Sequence, residues 1–232
     1  MTLDTAQRTT EILLALAFLQ SSAEHVWGSR VAPGLMALRG MGAAALLAGW
    51  ATPVMLLCLS AHGIAVLDRF GGPYNGGSDR MGLLVLWCLT LSHWLPPGTA
   101  QEVALGYLGV QVVLSYFISG QVKIANPDWR SGTALSEVFR FSAYPVSENL
   151  RALADRPRLL RVASWAVMLF ELAFPLALLD ARLTVAALTL AAAFHVANAC
   201  LFGLNRFVWV WIASYPAILW LQATLAARLS LS

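Results

Sequence analysis

The sequence predicts an all-α fold: a polytopic transmembrane helix bundle of about seven or eight membrane helices plus short surface helices. Three observations predict it. Hydrophobic residues make up 59% of the 232 positions, charged residues only 12%, and the mean hydropathy is +0.68, whereas about a quarter of the residues in a soluble domain are charged. The apolar residues gather into uncharged runs of about the twenty residues needed to cross a bilayer. The positive residues, almost all arginine, fall between those runs.

Helical runs are expected over 9–27, 31–49, 52–69, 80–96, 102–123, 160–179, 183–203 and 206–227. The first apolar stretch, Ile12 to Leu19, ends in Gln20, Ser21 and Ser22, with no small-residue cleavage pattern behind a basic start. It is therefore expected to remain as a helix and not to be removed as a signal peptide. The stretch from Arg39 to Asp68 exceeds one untilted span. It breaks at Gly49-Trp50-Ala51-Thr52-Pro53, because proline lacks a helix donor and favours a first turn.

Two connections are long enough to carry function. The first, Gly71 to Asp79, contains Tyr74-Asn75-Gly76-Gly77-Ser78 and is rich in residues that permit tight turns. Asp79 is suited to capping the helix that follows. The second, residues 124–159, is an arginine-rich segment with Arg130, Arg140, Arg151, Arg156 and Arg158, expected to hold short interfacial helices. No internal repeat divides the chain, so residues 1–232 read as one membrane domain.

Charge and cysteine usage narrow the function classes. The formal charge of +3 is modest and its arginines form no basic block, so nucleic acid is not an expected partner. Cys58, Cys88 and Cys200 lie far apart inside apolar runs; no metal site or disulfide framework is expected. Pairing the helices in order places Arg30, Arg69, Arg80, Arg130, Arg140, Arg151, Arg156, Arg158 and Arg206 on one membrane face. Arg8, Arg182 and Arg228 fall on the other, which makes the first face cytoplasmic.

Few residues can carry chemistry inside such a fold. Lys123 is the only lysine and ends an apolar run; Gly120, Ser119 and Tyr116 lie three, four and seven positions earlier, so one helix face is small and polar. Two readings of Lys123 stand side by side: a snorkelling interfacial anchor, or a reactive amine, since lysine can lose its proton on desolvation and arginine cannot. His195 and Asn198 lie one turn apart on a helix lined with Ala187 and Ala191. They suit either an interhelical hydrogen bond or proton exchange. Glu171, near the middle of a span, requires a partner or a wet cavity, with Lys123, Arg130 and His195 as the candidates. His25, His62 and His93 lie near span ends without evident partners, and most of the nine tryptophans, Trp129 among them, suit aromatic belts.

Tyr116-Phe117-Ile118-Ser119-Gly120-Gln121-Val122-Lys123-Ile124, then Asp128-Trp129, Phe194-His195, Asn198 and Leu201-Phe202 resemble the membrane domain of vitamin K-dependent gamma-carboxylase and its bacterial HTTM (horizontally transferred transmembrane) relatives. The resemblance is strongest from Tyr116 to Phe207, and the loop Tyr74 to Asp79 has the bacterial style. Gly77 and Ser78 stand where the animal enzyme carries asparagine and histidine.

The resemblance implies that Lys123 deprotonates a reduced, vitamin K-like quinone, with His195 as a second catalytic residue. It also implies that Asn198, Glu171, Trp129, Arg130, Tyr116 and Gly120 form the quinone-binding surroundings, with no metal. In the family, oxygen then converts the quinol to an epoxide, generating a base strong enough to take a glutamate γ-proton before carbon dioxide adds. The expected partners are the lipid bilayer, a lipid quinone and either a precursor peptide or a small membrane protein, and the expected location is the bacterial inner membrane. A non-catalytic module, for immunity, signalling or DoxX-like quinone handling, is the alternative that the same resemblance carries.

Overall fold

The computed structural model describes residues 1–28, 33–69, 76–141 and 148–230. Among them the chain is helical and contains no strand. The long helices are α1 (Leu3–Gly28), α2 (Pro33–Leu47), α3 (Thr52–Arg69), α4 (Gly76–Trp94), α5 (Thr99–Ala125), α9 (Pro157–Ala173), α10 (Ala181–Phe202) and α11 (Asn205–Leu229). Three short helices lie between α5 and α9: α6 (Pro127–Ser131), α7 (Thr133–Phe141) and α8 (Glu148–Arg151). Two 3-10 turns, Ala152–Asp155 and Phe174–Leu179, precede and follow α9. Every helix expected from the sequence is present. Tyr74, Asn75 and Arg30 lie outside the described residues.

Among the described residues, four segments are long and apolar enough to cross a membrane: Thr99–Ala125, Pro157–Leu179, Ala181–Phe202 and Asn205–Leu229. At 1.5 Å per residue α5 is about 40 Å long, more than the ~30 Å hydrocarbon core requires. Pro33–Leu47 and Thr52–Leu67 are apolar but shorter.

Local chemistry sets the helix ends. The turn between α2 and α3 uses Gly49 at φ 74° and Ala51 at φ 46°, with Pro53 in the first turn of α3 as the sequence predicts. Arg8 closes α2 by donating to the carbonyls of Leu46 and Leu47 at 3.0 and 2.7 Å, oxygens that would otherwise lack a partner at a helix end. Asp79 sits in the first turn of α4, which begins at Gly76, so it favours the positive helix end without standing at the cap itself. Asp180 caps α10, its Oδ1 accepting from the backbone N–H groups of Arg182 and Leu183. Gly203, at φ 69°, ends that helix.

The chain divides into two compact units, one of residues 1–110 and 206–232, the other of residues 111–205. In the first, α1 packs on α2 and α3 on α4 around Leu14, Leu46, Leu56, Val85 and Leu89, all essentially inaccessible. The first half of α5 meets α11 at Gly109, where an added Cβ would lie 2.9 Å from the Ala217 carbonyl oxygen.

Several polar residues inside this unit are paired. Glu11 is buried and accepts from Arg8 at 2.9 Å and from His93 Nε2 at 2.6 Å. Gln7 bonds to Ser92. Gln7, Arg8, Glu11 and His93, with Asp4 and Thr52, line a cleft of about 540 Å³. The expectation that His25, His62 and His93 lack partners is corrected here. His93 holds Glu11, His62 holds the Leu35 carbonyl, and His25 contacts Arg206, because folding joins residues up to 181 positions apart.

In the second unit a smaller apolar cluster of Phe139, Ala154, Leu160 and Phe202, flanked by Leu135, Leu153, Leu201 and Leu204, holds α7 and the connecting segment against α9. Arg140 and Asp155 form an exposed ion pair at 2.9 Å beside it, which contributes under about 1 kcal/mol.

The Gly109 contact yields a stability prediction. Gly109→Val should destabilise the protein by about 1–3 kcal/mol through overpacking, read as a lower midpoint of thermal unfolding in detergent. An unchanged midpoint would mean that α5 and α11 do not meet at this residue.

Candidate functional site

The site is assembled on the second half of α5 and on α6, α9 and α10, within the second unit. On α5, Tyr116, Ser119, Gly120 and Lys123 follow one another at helical spacing along one face. Gly120 is buried, and a Cβ on it would lie 2.8 Å from the backbone nitrogen of Leu172 and 3.1 Å from the carbonyl carbon of Glu171. Glycine therefore lets α5 and α9 approach backbone to backbone at this level. Glu171 is delivered opposite Lys123 as a result.

The Lys123 amine is fully engaged. Its Nζ lies 2.5 Å from Glu171 Oε1, 2.6 Å from Oε2 and 2.7 Å from Ser119 Oγ. Ser119 in turn donates to Glu171 Oε1 at 3.2 Å. An ammonium has three N–H donors and no acceptor, so these three oxygens account for all of them. The carboxylate is nearly sealed, with 3% of its side chain exposed, while Lys123 retains 17%. The amine is therefore the open side of the pair. The Trp129 ring faces it, with Nζ 5.2 Å from the ring centroid, close enough for a cation–π contact.

Trp129 is placed by α6. Asn126 caps that helix through Asp128 N at 2.9 Å, Pro127 occupies its first turn, and Gly132 at φ 86° closes it. Ser164 of α9 donates to the Trp129 carbonyl at 2.5 Å and the Trp165 indole donates to the Arg130 carbonyl at 3.1 Å. A Cβ on Gly132 would lie 2.8 Å from the backbone of Arg161, so α6 rests directly on α9.

Two turns before Lys123, the Tyr116 hydroxyl is 2.8 Å from His195 Nε2, and both residues are buried. The Tyr116 ring stacks on Phe174 at 4.0 Å and meets Phe170 edge-on at 5.8 Å. Pro175, by turning the end of α9 into a 3-10 segment, places Phe174 under Tyr116. The same face of α5 thus carries a charged pair at one level and an aromatic, hydrogen-bonded pair at another.

The residues expected from the sequence fall into three groups. Lys123, Glu171, Gly120 and Trp129 are brought together. Tyr116 and His195 form the second pair on the same helix face. Arg130 and Asn198 are not gathered with them. Arg130 turns back to cap α5, donating to the carbonyls of Ile124 and Ala125 at 2.7 and 3.1 Å. Asn198 is partly exposed, and its backbone carbonyl accepts from Leu204 at the end of α10. Among the three partners proposed for Glu171, the structure selects Lys123. Sequence reading did not single out Phe174, Ser164 or Gly132; the run from Asn126 through Pro127 to Gly132 was the available signal for α6, being a cap, a first-turn proline and a closing glycine.

An all-helical bundle with four helices of membrane-crossing length and a buried lysine–carboxylate pair defines an integral membrane protein with a polar site among its helices. A family model described as the HTTM domain matches residues 100–222, more than half of the chain, and the chain belongs to that family. The match covers α5 through most of α11, including every residue of the site. No curated protein matches the chain, and no solved structure does.

Removing one member of a buried ion pair strands the other, whereas removing both does not. Lys123→Met or Glu171→Leu alone should each cost about 3–5 kcal/mol, and the double substitution should recover a large part of that loss. A double-mutant cycle on thermal unfolding measures the coupling. Additive losses would show that the two groups do not interact.

Proposed function

We propose that the protein is a multi-pass enzyme of the bacterial inner membrane, similar to vitamin K-dependent gamma-carboxylase, in which Lys123 removes a proton from a lipid hydroquinone. The observation that carries this reading is the Lys123–Glu171 contact at 2.5 Å, with the amine on its more accessible side.

The donor count defines what the pair must do. Lys123 cannot accept a proton while all three of its own are present. Transfer of one proton along the Nζ–Oε1 contact leaves a neutral amine beside a carboxylic acid, with no change in net charge. Apolar surroundings favour that form, because neither group then needs the hydration that separated charges lose. Glu171 thus serves as the proton store and Lys123 as the base, the division of labour that general-base catalysis by lysine requires.

Trp129 fits a flat aromatic head, presenting a ring face beside the amine; the stacked Tyr116 and Phe174 rings and the Tyr116–His195 hydrogen bond are buried along the same face of α5. A bound hydroquinone supplies the acidic hydroxyl and the reducing electrons. Glycine at 120 keeps the pair in register, so it acts by position alone.

The alternative is a non-catalytic module in which the same pair fastens α5 to α9, and the satisfied hydrogen bonds of Lys123 are what favour it. Lys123→Arg separates the two. Arginine keeps the charge and the ion pair but does not give up its proton. In nanodiscs supplied with a reduced naphthoquinone and oxygen, the wild-type protein should consume the hydroquinone, and Lys123→Arg should lower the rate about 100-fold or more. An unchanged rate excludes Lys123 as the base. A folded wild-type protein with no turnover, no quinone in its organic extract and a stoichiometric membrane partner supports the module.

A further inference from the structure

We infer that Arg8, Glu11 and His93 form a second acid–base site, in which His93 exchanges a proton with water through its Nδ1. The three residues line the cleft of about 540 Å³ in the first unit, and Lys123 has no part in it. The cleft sits at helix ends: its residues come from the first three turns of α1, the turn between α2 and α3 and the last turn of α4. Hydrocarbon would leave the backbone groups of that turn unsatisfied, so this end of the unit meets water. The cleft is many times larger than the ~30 Å³ share of one water molecule.

Glu11 is buried, and both of its oxygens are claimed. Oε2 accepts from Arg8 Nη1 at 2.9 Å, and Oε1 accepts from His93 Nε2 at 2.6 Å. Arg8 is itself tied to the carbonyls of Leu46 and Leu47, so the carboxylate is held in one orientation. A guanidinium can only donate. Oε1 is thereby left as a fixed acceptor in front of His93.

A fixed acceptor dictates the imidazole tautomer. Nε2 carries hydrogen to meet Oε1, so the neutral ring keeps its lone pair on Nδ1. The His93 side chain is 26% exposed. Its Nδ1 makes no hydrogen bond among the described residues and, unlike Nδ1 of His62, is not a buried atom. A proton therefore joins and leaves at Nδ1 while the Nε2 hydrogen stays on Glu11, the arrangement in which a carboxylate orients a histidine base. In that step an O–H bond of hydronium breaks, an N–H bond forms at Nδ1, and imidazole becomes imidazolium beside the carboxylate. Asp4, Arg8 and Glu11 are the charged groups that share the cleft with His93; α2 and α3 bring none to it.

Two measurements on the full wild-type chain in nanodiscs test the assignment. With 15N-labelled histidine, the His93 signals are those lost in His93→Gln. Neutral His93 should show hydrogen on Nε2 and a bare Nδ1, and lowering the pH should protonate Nδ1 while Nε2 stays protonated throughout. Diethyl pyrocarbonate acylates an imidazole at a bare nitrogen. Mapped by peptide mass, it should modify His93 at least about tenfold faster than buried His195, which reacts only when the fold opens.

Glu11→Gln separates proton exchange from a merely structural tether. Arg8 claims the amide oxygen, which leaves the amide NH2 to face His93. An NH2 group only donates, so Nε2 becomes the acceptor and the ring hydrogen moves to Nδ1. The tautomer should invert, and acylation of His93 should slow about tenfold or more. A bare Nε2 in the wild-type protein, an Nδ1 that gains no proton at low pH, or acylation no faster than at His195 overturns the proposal. So does an unchanged tautomer in folded Glu11→Gln; if that variant does not fold, the two wild-type measurements decide alone.

Discussion

The close approach of α5 to α9 at Gly120 is the constraint on which the candidate site depends. Without a Cβ at that position, the two backbones meet near Glu171 and Leu172, and the distance between helices becomes short enough for Lys123 to reach Glu171 with both carboxylate oxygens in range. Lysine could span a wider gap, but only by giving up the Ser119 contact that completes its donor set. The geometry of the pair and its low exposure both follow from a missing methyl group.

Burial sets the character of that contact. An exposed lysine–glutamate pair is worth little and holds its proton on the amine. With the carboxylate almost sealed, the ionic and neutral forms of the pair compete, and the surroundings decide between them. At His62 the neighbour is a backbone carbonyl that can only accept, so it dictates which ring nitrogen bears hydrogen; at Lys123 the neighbour is a carboxylate that can itself take a proton.

Helix ends also make demands on residues near the site. Arg130 is adjacent in sequence to Trp129, and its Nη1 donates to the final carbonyls of α5. Free carbonyls at a helix end are a local demand that a nearby arginine meets at short range. Glu11 shows the reverse case. It lies in a stretch that reads as the polar start of the chain, and tertiary packing buries it between Arg8 and His93.

Periodicity and composition were enough to determine the all-α class, the eight long helices, the break before Pro53 and the polar face of Tyr116, Ser119, Gly120 and Lys123. These depend on spacing along one chain segment, which a sequence displays directly. A mid-span glutamate also announced that it needed a partner or a wet cavity. Which partner it took was decided only by tertiary structure. Lys123 and Glu171 are 48 positions apart, and Tyr116 and His195 are 79 apart. Nothing in local spacing distinguishes Lys123 from Arg130 or His195 as the group that meets Glu171. Helix-to-helix distance does, and that distance is set where glycine lets two backbones touch.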